Sequence, residues 1–153
     1  MSRAALPPRY AAGVRIAGIG YQGRTIDEVI ERLRSASIAT LIDVRELPWS
    51  RRPEFAKKKL AERLAHEGLR YVHLRSAGNP RENRKSGAAS AEILARYREH
   101  LARTPGVLEE ILAEAQGHSV ALLCYEADMR ECHRSVLLEA LAGLRLALAV
   151  DAL

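Results

Sequence analysis

The chain switches between two hydrophobic periods. Short apolar runs at residues 14–19, 40–44, 70–74, 120–123 and 146–150 have the length of buried strands. Between them, apolar residues recur three and four positions apart. Ile26, Val29, Ile30 and Leu33 share one face of a helix that Thr25 can cap, running to about residue 34. Phe55, Leu60 and Leu64 mark a second helix, stopped at Gly68. Residues 91–101 read as a third. Thr104 caps a fourth, with Pro105 in its first turn and an end near residue 115. Residues 136–144 read as the last, ending at Gly143, and the field of its amino end reaches back to Cys132.

Strands that alternate with helices predict an α/β fold. We expect a single Rossmann-like three-layer domain, with a mostly parallel sheet of about five strands and helices on both faces. It should occupy residues 13–153, behind a flexible amino-terminal arm over residues 1–12. Two stretches lack either period. One is a proline-broken loop around Pro48 and Pro53; the other is a polar segment, residues 76–90, read as a long loop. Its run Arg81-Glu-Asn-Arg-Lys85 suits a basic lid.

The polar residues at the strand ends give the first functional signal. Gly20 and Tyr21 follow the first strand, Asp43 and Arg45 close the second, and Cys124, Tyr125 and Glu126 close the fourth. Parallel topology puts all of them on one sheet edge, where open α/β sheets bind ligands.

The densest chemistry lies between Cys124 and Arg134, which hold two thiols, an imidazole, carboxylates and guanidiniums on a strand-to-helix turn. A helix start at Cys132-His133-Arg134 would offer free N–H groups to an anion, with Arg134 as a clamp. The same field would favour a Cys132 thiolate. The competing reading is that Glu126 or Asp128 pairs with Arg134 and locks the turn. Cys124 to Arg130 has the C-x5-R spacing of a phosphatase loop, but Glu126 and Asp128 would repel phosphate there. Cys124, Glu126, Cys132 and His133 match no structural zinc spacing, so no metal is assigned. A Cys124–Cys132 disulfide would be a redox switch in a reducing compartment. Asp43 and Arg45 can pair with each other, or face the pocket as general base and anion ligand. Gly18-Ile-Gly-Tyr-Gln-Gly23 fits a dinucleotide-binding loop in outline.

Composition narrows the class of partner. Lys and Arg total 24 against 19 Asp and Glu, a net charge of +5. That favours phosphate, nucleotide or nucleic acid, unless the surplus arginines only solvate helix surfaces. Trp49-Ser-Arg-Arg52 and Lys57-Lys-Lys59 add basic segments beside one aromatic. The absence of a long apolar span or signal peptide predicts no membrane association, and two cysteines without a secretory signal predict a cytoplasmic setting.

Three blocks together carry a family likeness. They are Ile19-Gly20; Asp43-Val-Arg45 with Pro48, Ser50-Arg51, Pro53 and Phe55; and Cys124, Glu126 and Cys132-His-Arg134. In this order and spacing they resemble the DUF488 family of uncharacterised α/β proteins. The resemblance implies a Rossmann-like domain with a polar pocket and brings no established reaction. Members often carry Gly-His-Ser after the first strand; here it is Gly20-Tyr-Gln22, so Tyr21 would stand in for that histidine.

The resulting expectation is a polar anion-binding pocket at the strand carboxyl edge. Asp43, Glu126, Cys132 and His133 are its candidate catalytic residues. Gly20, Tyr21, Arg45, Ser50, Arg51, Cys124 and Arg134 are its candidate substrate or anion ligands. The cofactor is left unknown. The protein would be a small enzyme acting on a phosphorylated, nucleotide or nucleic-acid substrate. The alternative is a non-catalytic nucleotide or nucleic-acid binding module, in which the carboxylates only orient the arginines.

Overall fold

Five strands pair in the order β3-β2-β4-β1-β5, and every pairing is parallel. The computed structural model describes residues 15–144 and 149–153. The strands are β1 (Arg15–Gly20), β2 (Ile38–Asp43), β3 (Arg70–His73), β4 (Ser119–Cys124) and β5 (Ala149–Ala152). The helices are α1 (Ile26–Ser35), α2 (Lys57–His66), α3 (Arg81–Arg84), α4 (Ser90–Ala102), α5 (Val107–Glu114) and α6 (Arg134–Gly143). The expected amino-terminal arm lies outside the described residues, as does the first half of the expected last strand.

Side chains that alternate along the strands divide the core into two layers. Ile16, Ile42, Val44, Val120 and Leu122 pack with Tyr97 of α4, Val107 and Ile111 of α5, and Val136, Leu137 and Leu141 of α6. Ile19, Leu41, Ala121 and Leu123 pack on the other face with Val29, Ile30 and Leu33 of α1, Phe55, and Leu60 and Leu64 of α2. The fold is therefore α/β, with a helix layer on each face of an all-parallel sheet. Among the described residues no helix is long and apolar enough to cross a membrane.

Local chemistry sets the element ends. Thr25 closes a capping box with Glu28 at the start of α1: the Glu28 N–H donates to Thr25 Oγ1 at 3.1 Å, and the Thr25 N–H donates to Glu28 Oε1 at 2.8 Å. Gly68 turns the chain out of α2 with φ +77°.

Three expectations are corrected. Thr104 does not cap α5; its hydroxyl donates to the His100 carbonyl at the end of α4, 2.7 Å away, and Gly106 at φ +96° makes the turn into α5. Phe55 belongs to a 3-10 turn, Pro53–Phe55, so α2 begins at Lys57. Residues 76–90 are not an open loop. They contain α3, which Arg84 ties down by donating to the Asn79 carbonyl and to Glu46 Oε1, each at 2.8 Å. Gly78 allows this docking, because a Cβ there would lie 2.4 Å from the Glu46 Cα. The polar character of this segment reflects partners that only the folded chain supplies.

Candidate active site

The strand carboxyl ends do gather the predicted residues on one edge, but in two groups on opposite faces of the sheet. On the α1–α2 face, Asp43 and Arg45 pair with each other. Arg45 Nε donates to Asp43 Oδ1 at 2.8 Å and its Nη2 to Oδ2 at 2.7 Å. The Arg45 backbone N–H donates to Oδ1 at 3.1 Å and the Tyr71 hydroxyl to Oδ2 at 2.5 Å. Four donors fill the acceptor sites of a fully buried carboxylate. Burial disfavours the Arg45 charge, yet the hydrogen bonds and charge of Asp43 outweigh it and raise the guanidinium pKa further. Burial, then Asp43, likewise raises the Tyr71 hydroxyl. Asp43 thus has no acceptor left for a substrate proton, and the general-base role expected of it gives way to a framework role.

Tyr21 extends this framework. Its hydroxyl accepts from Arg45 Nη1 at 3.1 Å, and its ring stacks on Phe55 with centroids 4.3 Å apart. Arg52 lies over Phe55 at 4.4 Å and donates to the Tyr21 carbonyl at 3.0 Å and to the Arg24 carbonyl. Arg51, singled out in the sequence, is exposed, and Ser50 accepts from the Arg52 N–H at 3.1 Å. The working guanidinium of this loop is Arg52. Only the tertiary position of Phe55 distinguishes the two.

On the α4–α6 face lies a more reactive group. Cys132 is 2% exposed, His133 is buried and Arg134 is fully buried. Arg134 Nε donates to Cys132 Sγ at 3.1 Å, and its Nη2 donates to the Glu126 carbonyl. Its Nη1 has no hydrogen-bond partner among the described residues. No carboxylate comes within ion-pair distance of Arg134 among the described residues, so the expected lock by Glu126 or Asp128 is not formed; Asp128 pairs instead with Arg130 at 2.9 Å. Arg130 is thus turned to solvent, and the C-x5-R loop does not close around a phosphate.

His133 Nε2 is 2.8 Å from the Val44 carbonyl. A carbonyl only accepts, so Nε2 carries a hydrogen, and Nδ1 faces Cys132 Sγ at 3.6 Å. The His133 ring meets Tyr97 edge-on at 4.9 Å. The half-buried Cys124, at the end of β4, brings its sulfur within 4.8 Å of the Cys132 sulfur. Burial works against charge on Cys132. Hydrogen bonds from Cys124 and His133, with the positive charges beside it, prevail and hold this thiol well below its ordinary pKa. The Cys124 thiol is pushed well above its ordinary value by its hydrogen bond to Cys132 and by burial. Burial and the Cys132 charge also raise the Glu126 carboxyl. A buried guanidinium needs a counter-charge. The Cys132 sulfur, with its pKa lowered, is the group in contact with Arg134 that can supply one.

Helix α6 begins at Arg134 rather than Cys132, and the Ser135 N–H donates to the Cys132 carbonyl at 3.0 Å. The positive charge beside the sulfur therefore comes from the His133 and Arg134 side chains rather than from a helix end. Gly20 lets the layers meet: a Cβ there would lie 1.9 Å from the Glu126 carbonyl oxygen that Arg134 holds. The glycine-rich segment is committed to packing in the same way. A Cβ on Gly18 would lie 2.2 Å from Met129 Sδ, and Thr25 and Glu28 already cap α1. Of the segment's three glycines, Gly18 and Gly20 are taken up by packing, and Gly23 alone faces open space.

The ligand atoms of Cys124, Cys132 and His133 lie within 4.8 Å of one another, close enough for a small thiophilic ion. The Arg134 guanidinium on the Cys132 sulfur opposes a cation at that point.

Sequence reasoning missed Arg24. Its Nη1 donates to the Gly20 carbonyl at 3.1 Å, and burial with the charges of Arg32 and Arg134 lowers its pKa. Two guanidiniums that repel each other flank the chain crossing over Gly20. Among the described residues, Leu47, Trp49 and Tyr125 are the exposed large apolar side chains, all on loops at this edge.

No curated protein and no solved structure matches the chain. A family model described as a domain of unknown function, DUF488, matches residues 25–141. The match takes in the Asp43 and Cys132 blocks and begins after β1, leaving Ile19-Gly20 outside it. Covering most of the chain and both of its densest motifs, it makes this protein a member of the DUF488 family.

Proposed function

We propose that this protein is a small cysteine-dependent enzyme acting on an anionic substrate, of the phosphorylated, nucleotide or nucleic-acid class. One observation carries the reading: among the described residues, fully buried Arg134 meets the Cys132 sulfur and no carboxylate, and its Nη1 is unpartnered. A thiolate is the nucleophilic form of cysteine. Cys132 would attack the electrophilic centre while Arg134 Nη1 binds the anionic oxygen, with Arg24 alongside. Glu126, whose carboxyl burial favours the protonated form, is the candidate acid for the leaving group. His133 positions the sulfur and exchanges its proton. Trp49 and Tyr125 at the rim suit a nucleobase, since any base offers a face for stacking.

The slight exposure of Cys132 favours the alternative of a non-catalytic binding module, in which the thiolate serves only as the counter-ion of Arg134. The deciding measurement is the pH profile of Cys132 alkylation, with and without inorganic phosphate. Under the enzyme reading, reaction persists well below pH ~8.5, the ordinary thiol value, and phosphate slows it. An ordinary thiol profile would remove the nucleophile and leave binding alone.

A further inference from the structure

The proposed chemistry uses one sulfur of two. Cys124 and Cys132 come from different elements, the end of β4 and the turn before α6, and their sulfurs lie within 4.8 Å of each other. Cys132 is sealed in, whereas Cys124 is half-buried and borders the exposed Tyr125. Cys132 faces two nitrogen groups, Arg134 Nε at 3.1 Å and His133 Nδ1 at 3.6 Å. A charged thiol beside a neutral one is the arrangement of a nucleophilic and a resolving cysteine. Closure needs the sulfurs to approach to about 2.05 Å, a movement of the length a side-chain rotation supplies.

We infer that Cys124 and Cys132 form a two-electron redox couple that reduces a hydroperoxide and closes as an intramolecular disulfide. The Cys132 thiolate attacks the terminal oxygen of ROOH. An S–O bond forms, the O–O bond breaks, and the departing alkoxide takes a proton to leave as ROH. Cys132 is now a sulfenic acid. Cys124 then attacks the Cys132 sulfur; the S–S bond forms, the S–O bond breaks, and hydroxide leaves with the Cys124 proton as water. The peroxide is reduced by two electrons and the dithiol oxidised by two. A dithiol reductant reverses the oxidation by exchange.

Closure has a consequence for the anion site. It removes the thiolate charge from Arg134, whose hydrogen-bond partners among the described residues are the Glu126 carbonyl and the Cys132 sulfur. The oxidised protein therefore holds an external anion more strongly than the reduced one, and phosphate raises its melting temperature more.

The inference rests on Cys132 being the charged thiol of the proposed function, but requires no substrate. The full-length protein is treated with hydrogen peroxide near one equivalent, quenched with alkylating reagent in denaturant, and mapped by mass spectrometry. The expected result is a monomer lacking two hydrogen atoms, a Cys124–Cys132 cross-linked peptide, and no alkylatable thiol. Cys124→Ser should stop at a sulfenic acid that dimedone traps. Two free thiols after peroxide, or dimedone labelling equal in wild type and Cys124→Ser, would overturn the couple. The wild-type peptide map needs no variant to fold. Failure of the thiolate reading looks different: Cys132 alkylation acquires an ordinary profile.

Discussion

Arg134 Nε lies 3.1 Å from Cys132 Sγ, which sets a fully buried guanidinium against a thiol whose surroundings lower its pKa. Charge and burial here depend on each other. Arg134→Met leaves the sulfur without its nearest cation, so Cys132 should lose its preference for the thiolate. Alkylation at pH ~6.5 should slow at least tenfold, and stability should fall by about 1.5–3 kcal/mol, the range for a hydrogen bond to a charged group. Alkylation unchanged in this variant would show that His133 alone holds the thiolate.

The two thiols should give stability a pH signature of opposite signs. Cys132 is depressed in the folded state, so its contribution is fully present above the unfolded thiol value, about 8.5, and is lost as pH falls through the folded value. Cys124 is raised, so its contribution is present below about 8.5 and is lost as pH rises through the folded value. Urea unfolding of wild type minus Cys132→Ala should therefore show a difference shrinking toward acid. The same comparison with Cys124→Ala should show one shrinking toward alkali. A difference independent of pH would mean that neither thiol is shifted.

Gly20 and Gly23 separate close approach from backbone freedom. A Cβ on Gly20 meets the Glu126 carbonyl oxygen at 1.9 Å, whereas Gly23 has open space and φ +71°. Gly20→Ala should displace the carbonyl that Arg134 holds, lowering stability by about 1–3 kcal/mol and altering Cys132 alkylation. Gly23→Ala should cost about 1 kcal/mol and leave Cys132 untouched. Equal effects on alkylation would break the proposed link from Gly20 to the thiol.

The Asp43–Arg45 pair should behave as framework. Asp43→Ala leaves a buried guanidinium unpaired and should cost about 3–5 kcal/mol, while Asp43→Leu combined with Arg45→Met should recover much of that loss. A double variant no more stable than Asp43→Ala would point to a role for the carboxylate beyond pairing with Arg45.

Trp49 is the only tryptophan and is 68% exposed. A single-stranded oligonucleotide should quench its fluorescence at low salt, while inorganic phosphate should not. Replacing Arg51, Arg81 and Lys85 with Ala should flatten the salt dependence of that binding, since each lost phosphate contact releases one counter-ion fewer. Quenching by neither ligand would remove nucleic acid from the proposed substrate class.

Sequence pattern alone determined the order of the strands and of the helices that cover them, the parallel sheet and the edge on which chemistry collects. Strand-length apolar runs, helical periodicity and the rule that parallel strands end together are local or topological facts. The Cys132-His-Arg134 motif was legible for the same reason, as a cluster of reactive groups on a strand-to-helix turn. Tertiary structure alone decided what each group faces. Asp43 and Val44 are adjacent in the chain, yet alternation sends the Asp43 side chain to the α1–α2 face, while the Val44 carbonyl holds His133 on the other. Arg51 and Arg52 are equivalent in composition, and only the folded chain sets Arg52 over the Phe55 ring and against the Tyr21 and Arg24 carbonyls while Arg51 is exposed. Arg134 could have met Glu126, Asp128 or Cys132, all within ten residues of it. Which of them a buried cation takes depends on backbone crossings such as that of Glu126 over Gly20, and no local period encodes a crossing.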